Sequence, residues 1–264
     1  VLKKYRPTKI FVSSPADTNR DHRALNLFLQ VALWDLQDEL PPPAVYSYLI
    51  HCYGWPRPSN YHPDLYLHIP KKFARSQVQW RTLDLSPEEE ELKHQAIRLY
   101  RSQCSDSAFY LVSFARKNEL FGRYPDIELE KANGSRDFEI ATTYEDKTVA
   151  YCRMEGNLFI NVFLRREGVG FRRLFVNIAG YRRGVAFARM PKLKIIVSPL
   201  GVKLLDRGKF IDARCISVEE KKHSMSIRVP LAALGDPSYL LSSVNTYRED
   251  YSTDLNAWRV IKLK

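Results

Sequence analysis

Two rhythms of apolar and polar positions divide the chain. As far as about residue 122, short β-branched runs alternate with helical stretches. Lys9–Ser13 (KIFVS) predicts a buried strand, and residues 23–37 (RALNLFLQVALWDLQ), apolar on nearly every side, predict a helix packed deep against a sheet. Pro41-Pro42-Pro43 stops that helix, because proline lacks the amide hydrogen and clashes with the preceding turn. Val45–Ile50 and Leu65–Ile69 predict strands. Ser86 at the N-cap, Pro87 at the first helical position and Glu88–Glu91 against the positive end of the helix dipole predict a helix to about Ser102. A further helix is predicted over about Ser107–Leu120, ending near Gly122. Strands alternating with helices predict a layered α/β fold over 1–122.

From about residue 137 the spacing shortens. Phe138–Thr142, Thr148–Met154, Leu158–Leu164, Leu174–Ile178, Val185–Met190, Leu193–Val197, Val202–Leu205, Ile216–Val218, Ser226–Val229 and Trp258–Leu263 read as strands. Glycine, proline or charged turns separate most of them. Leu158, Ile160, Val162 and Leu164 fall at period two, as on a strand with one buried face. The expectation for 137–264 is an antiparallel β-sandwich. The polar, turn-rich stretch 123–136 (RYPDIELEKANGSR) predicts a linker.

Composition adds charge to this picture. Hydrophobic residues make up 45% and charged residues 27%, the balance of a folded chain. No run approaches the roughly 20 apolar residues of a transmembrane helix. Cys52, Cys104, Cys152 and Cys215 are too scattered for a zinc knuckle or a disulfide scaffold, which leaves the compartment open. The net charge is +11; residues 1–125 hold 17 basic and 13 acidic side chains (+4), and the remainder carries +7. Within 165–209 stand 12 basic residues against two acids, Glu167 and Asp206, and the basic set includes the pairs Arg165-Arg166, Arg172-Arg173 and Arg182-Arg183. Arg172, Arg173, Arg182 and Arg183 are therefore anion-binding candidates for phosphate, an acidic sugar, a lipid headgroup or nucleic acid. A solvated basic rim is the simpler account of the same residues. No RNP motif, zinc finger or basic recognition helix is present, which argues against nucleic acid. The chain opens VLKKYRPTKIFVSSP, without a start methionine, signal peptide or transit pattern. A strand so near the first residue is expected of the later part of something longer, or of a trimmed chain.

Candidate chemistry concentrates in one loop. Ser13-Ser14-Pro15-Ala16-Asp17-Thr18-Asn19-Arg20-Asp21-His22-Arg23-Ala24 joins the first strand to the first helix, where open α/β sheets collect their ligands. His22 can offer an imidazole nitrogen to a divalent ion, and Asp21 can hold the proton of the other ring nitrogen or orient a neighbour. The same spacing also suits an Asx-turn at Asp17 and a helix cap at Asp21. His51 ends a predicted strand and could line the cleft. Trp55, with Tyr53, Arg57, Asn60 and Tyr61, makes a loop suited to stacking on a sugar ring.

PADTNRDHRAL, after RPTKIFVS, resembles the second signature of the LmbE/PIG-L family of metal-dependent N-deacetylases. VYSYLIHCYGWP (45–56), KHQAIRLYRSQ (93–103) and FARKNELF (114–121) are similar, in order, to later parts of that family. The resemblance covers about 1–122 and implies the later portion of a Rossmann-like layered α/β domain whose first strands lie outside this chain. It further implies a hydrolase that uses zinc, or another divalent metal, to remove the acyl group from an N-acetyl amino sugar or glycoconjugate. His22 would be a metal ligand, Asn19 and Asp21 would stand at catalytic positions, and Asp17, Arg23, His51 and Trp55 would line the substrate cleft. Such enzymes carry an earlier His-Pro-Asp-Asp loop that supplies two ligands and the general base. That loop is absent here: His62-Pro63-Asp64 is followed by Leu65 and lies after the His22 loop. Asn19 also replaces a histidine of many members, and an amide transfers no proton at neutral pH. The resemblance thus implies a complementary N-terminal chain or segment.

SIRVPLAAL (226–234), the Tyr181-Arg182 turn and AWRVIKL (257–263) resemble the sandwich modules of carbohydrate-binding family 9 and the DOMON type. The leading expectation is a zinc-dependent N-deacetylase fragment with an accessory carbohydrate-binding sandwich. The alternative is a non-catalytic binding protein whose basic β face holds an acidic glycan, lipid or nucleic acid.

Overall fold

The computed structural model describes residues 1–104, 110–130, 139–143, 147–164, 173–248, 251–252 and 257–264. The elements of the first half are α1 (Leu2–Tyr5), β1 (Lys9–Ser13), α2 (Arg20–Asp35), β2 (Ala44–Tyr48), β3 (Gln79–Asp84), α3 (Pro87–Arg98) and β4 (Asn118–Arg123). Then follow β5 (Ile127–Leu129), β6 (Glu139–Thr143), β7 (Lys147–Met154), β8 (Asn157–Leu164), β9 (Arg173–Tyr181), β10 (Lys192–Ser198), β11 (Gly201–Asp206) and β12 (Lys209–Ile211). The last are β13 (Ser217–Lys221), β14 (Ser224–Pro230), β15 (Tyr239–Arg248), β16 (Tyr251–Ser252) and β17 (Arg259–Leu263).

The expected layered, Rossmann-like α/β architecture is not what the chain adopts. Strands cover 41% of it and helices 20%, and the described strands form three sheets. The first sheet has the order β1-β2-β4-β3; only β1 and β2 run parallel, joined through α2, while β4 is antiparallel to both neighbours. Among the described residues the α/β character is confined to this single crossover. Two expectations failed together. Ser107–Leu120 is no helix where it is described: a 3₁₀ turn at Leu111–Phe114 leads into β4, whose Asn118, Leu120 and Gly122 are buried in alternation. Leu65–Ile69 joins no sheet; the Asn118 side chain takes up its backbone instead, Leu67 N donating to Asn118 Oδ1 at 2.6 Å and Asn118 Nδ2 donating to Leu67 O at 3.1 Å. The capping box at Ser86 forms as the sequence indicates, with Glu89 N on Ser86 Oγ at 3.2 Å and Ser86 N on Glu89 Oε2 at 2.8 Å.

In the second half an eight-stranded sheet of order β12-β11-β10-β9-β15-β17-β5, with β16 on β15, faces a five-stranded sheet of order β13-β14-β8-β7-β6. Val149, Ile160, Val162, Leu174, Val176, Ile195, Ile227, Val244 and Ile261 from both sheets share one apolar core. Tyr151 Oη donates to Ser242 Oγ across it at 3.0 Å. Residues 123–136, expected as a linker, contribute β5, which runs parallel to β17. Val185–Met190, expected as a strand, forms turns instead, and Lys192 Nζ donates to the carbonyls of Phe187 and Met190 within it.

The two halves meet on α2. Trp34 forms a three-ring cluster with Tyr181 and Tyr239, with ring centroids 5.1 and 4.7 Å away, and packs with Val31, Ala179 and Leu241. Tyr181 Oη donates to Asp35 Oδ1 at 2.7 Å. Only Asn26, Val31 and Trp34 of this helix are buried, while Leu25 and Phe28 are 54% and 65% exposed, so α2 packs less deeply than its apolar pattern predicts.

Candidate metal centre

β1 and β2 are parallel and in register from Lys9↔Ala44 to Ser13↔Tyr48, so the segments that follow them emerge side by side. One leads through Asp17 into α2 and His22; the other leads to His51. Loops at the carboxyl ends of adjacent parallel strands converge in this way whatever their sequence separation.

Asp17 is wholly buried between the two histidines. Its Oδ2 stands 3.1 Å from His22 Nδ1 and accepts from the amides of Ile50 and His51 at 3.0 Å each. Its Oδ1 stands 3.1 Å from His51 Nδ1 and accepts from Asn19 N at 2.8 Å. Burial pushes the Asp17 carboxyl up, but the backbone amides of His51, Asn19 and Ile50 and the His22 side chain outweigh it and hold the group below the ordinary carboxylate value. An ionised carboxylate only accepts hydrogen bonds, so each imidazole turns an N–H at Nδ1 toward it. The two rings lie 4.8 Å apart, with side chains 30% and 38% exposed. One donor atom from each of Asp17, His22 and His51 lies within 4.8 Å of the others, close enough to hold a metal ion.

The donor set suits a metal that prefers nitrogen and oxygen ligands, zinc among them. Asp17 accepts five hydrogen bonds, so with a metal on the two rings it would act through them as the carboxylate of a carboxylate–histidine–metal arrangement. Two imidazole nitrogens fall short of the three protein ligands of a catalytic zinc site.

The other candidates fall into place around this cluster. Asn19 is the N-cap of α2, its Oδ1 accepting from Asp21 N at 2.9 Å; Asp21 is exposed in the first turn. The cap is thus Asn19, not Asp21, and Asp17 makes the Asx-type bond to Asn19 N. Arg23 donates to Asp17 O at 3.0 Å and braces the loop from behind. Asp17, a candidate for touching substrate, cannot do so from its buried position. Trp55 is also buried, its Nε1 on His68 O at 2.7 Å and its ring edge-on to Phe114, whereas Tyr53 is 88% exposed.

A cleft of about 640 Å³ opens beside His51, lined by Thr18, Tyr53, Arg57, Ser59 and Tyr110 among others. Tyr110 was absent from the sequence reading. Its ring stacks on His51 at 6.1 Å, and its hydroxyl donates to the carbonyls of Ile50 and Trp55 (3.1 Å to the latter). Burial pushes its pKa up to about 12, so it stays a phenol and a donor.

The described anion candidates, Arg173, Arg182 and Arg183, do not form one patch. Arg172 lies outside the described residues, as do Arg165 and Arg166. Arg173 begins β9, and Arg182 and Arg183 follow its far end, about 30 Å away at the usual rise of a strand. Arg183 is ion-paired with Asp38.

No protein-family model and no curated protein matches this chain. No helix among the described residues is long and apolar enough to cross a membrane.

Proposed function

We propose that the chain supplies two imidazole ligands and one wall of the substrate cleft to a zinc-dependent hydrolase that removes an N-acyl group from an amino sugar or related amide. The observation that carries this reading is the grip of one buried carboxylate on Nδ1 of both His22 and His51, which leaves Nε2 of each ring outside that grip. Hydrolysis adds water across the amide C–N bond and leaves a carboxylate and an amine. Zinc, when bound, polarises the amide carbonyl and makes water a stronger acid. His22 and His51 hold the ion's place, and Asp17 fixes their tautomer and orientation. Asn19 and Arg23 keep the loop closed on Asp17. Thr18, Arg57, Ser59 and Tyr53 offer the polar and aromatic contacts that orient a sugar amide beside His51. Asp21, exposed next to His22, is a carboxylate of this chain that can meet substrate. The missing ligand and the general base come from a complementary N-terminal segment or partner chain.

The test is zinc analysis of the protein with its complete native sequence. Near-stoichiometric zinc is expected in the wild type, with strong loss in His22→Ala and in His51→Ala, and release of acetate from N-acetylglucosamine conjugates lost in parallel. Unchanged zinc content in both variants would overturn the assignment.

A further inference from the structure

The outer face of the eight-stranded sheet carries a charge pattern unrelated to the metal cluster. Leu174, Val176, Ile178, Leu193, Ile195, Val197 and Leu204 point to the core, so the alternate residues point away from it. On β9 to β12 these are Arg173, Phe175, Asn177, Ala179, Tyr181, Lys192, Lys194, Ile196, Ser198, Lys203, Leu205 and Phe210, with no carboxylate among them. On β15 they are Tyr239, Leu241, Ser243, Asn245 and Tyr247, again without an acid. α2 covers the end near Tyr181 and Tyr239, leaving the part around β10 to β12 uncovered by it.

Register sets the cations close together. Lys194 is opposite Leu205 on β11, and Lys203 is two residues along from Leu205 on the same face. Such diagonal neighbours are about 7–8 Å apart. Lys194 and Lys203 are both exposed, and neither meets a carboxylate among the described residues. Phe210, opposite Leu205, is 71% exposed and sits beside them. Two unneutralised lysines on adjacent strands repel, and a bound anion relieves that repulsion.

We propose that this face binds a linear anionic glycan, its carboxylate or sulfate groups on Lys194 and Lys203 and a sugar ring on Phe210. The scarcity of stacking platforms favours a glycan over nucleic acid. A single-strand reader needs several free ring faces for stacking. Here Lys194 Nζ lies 5.0 Å from the centre of the Phe175 ring, and Tyr247 meets that ring edge-on at 4.8 Å. Phe210 remains as one platform, which suits the apolar C–H face of a pyranose.

The experiment titrates the protein with heparin (sulfated), hyaluronate (carboxylated) and a single-stranded DNA oligonucleotide, by calorimetry at low and at physiological salt, without added metal. Binding of at least one glycan is expected, weakened about tenfold or more by the added salt; which polymer binds tells sulfate from carboxylate recognition. Lys194→Glu with Lys203→Glu should abolish it, and Lys194→Gln with Lys203→Gln should weaken it in a protein of unchanged circular dichroism. Phe210→Ala should weaken it with the salt dependence kept. Lys221→Glu with Lys222→Glu, in the hairpin of the other sheet, should leave it within about twofold. Absence of glycan binding at low salt, equal loss in the Lys221/Lys222 control, or tighter binding of the oligonucleotide than of either glycan overturns the proposal. None of these outcomes depends on zinc, so the hydrolase reading stands or falls separately.

Discussion

Asp17 and His51 are 34 residues apart, yet the carboxylate of one holds the other twice, at the ring through Oδ1 (3.1 Å) and at the backbone amide through Oδ2 (3.0 Å). The double hold fixes both the position and the rotation of the imidazole. His22, five residues on, is fixed by the same carboxylate.

Replacing Asp17 by asparagine should show how much rests on it. An amide keeps the shape but turns one acceptor into a donor facing backbone N–H groups. With buried donors left unpaired at roughly 1–3 kcal/mol each, a loss on the order of 3 kcal/mol is expected in urea unfolding. Zinc affinity in the complete protein should fall by about 10–100-fold, as for other groups that orient metal-binding histidines.

The same carboxylate sets a pH dependence. Its folded pKa lies below its ordinary value of 3.8, so its contribution to stability is present above that value. That contribution is lost as pH falls through the lower, folded value. Unfolding midpoints should therefore drop from about pH 4 downward, and the drop should be shallower in Asp17→Asn. Equal slopes in both proteins would remove Asp17 from the account.

Trp34→Ala tests the junction of the two halves. The indole is 7% exposed and contacts both Tyr181 and Tyr239. A loss of about 3–5 kcal/mol is expected from the cavity and the lost transfer energy. Tyr181→Phe, which removes only the bond to Asp35, should cost about 1 kcal/mol in the same assay.

Gly180 on β9 should tolerate no side chain. A Cβ there would lie 2.3 Å from the carbonyl oxygen of Leu234, a backbone atom that cannot swing aside. Gly180→Ala should lower stability by roughly 1–3 kcal/mol or more. Gly184→Ala, where a Cβ meets nothing within 4 Å but φ is +77°, should cost about 1 kcal/mol through the backbone alone.

Local signals in the sequence located α2, the Ser86 cap of α3 and most strands of the second half, because apolar period and capping chemistry act over a few residues. They also marked the loop of Asp17 and His22. β15 escaped them. Its Ser242, Ser243, Asn245 and Thr246 are polar yet buried on both faces of the strand, so its alternation is hidden. Residues 110–121 mixed apolar residues at helical spacing, and only pairing with β2 and β3 made the last part a strand. The chain's own pattern therefore determined where elements begin and what each loop carries. Tertiary structure alone decided that the sheet is mixed, that β5 joins the second half and that His51 stands with His22. Those outcomes depend on contacts between residues tens to more than a hundred positions apart, and no local period encodes which distant strand will supply the missing hydrogen bonds.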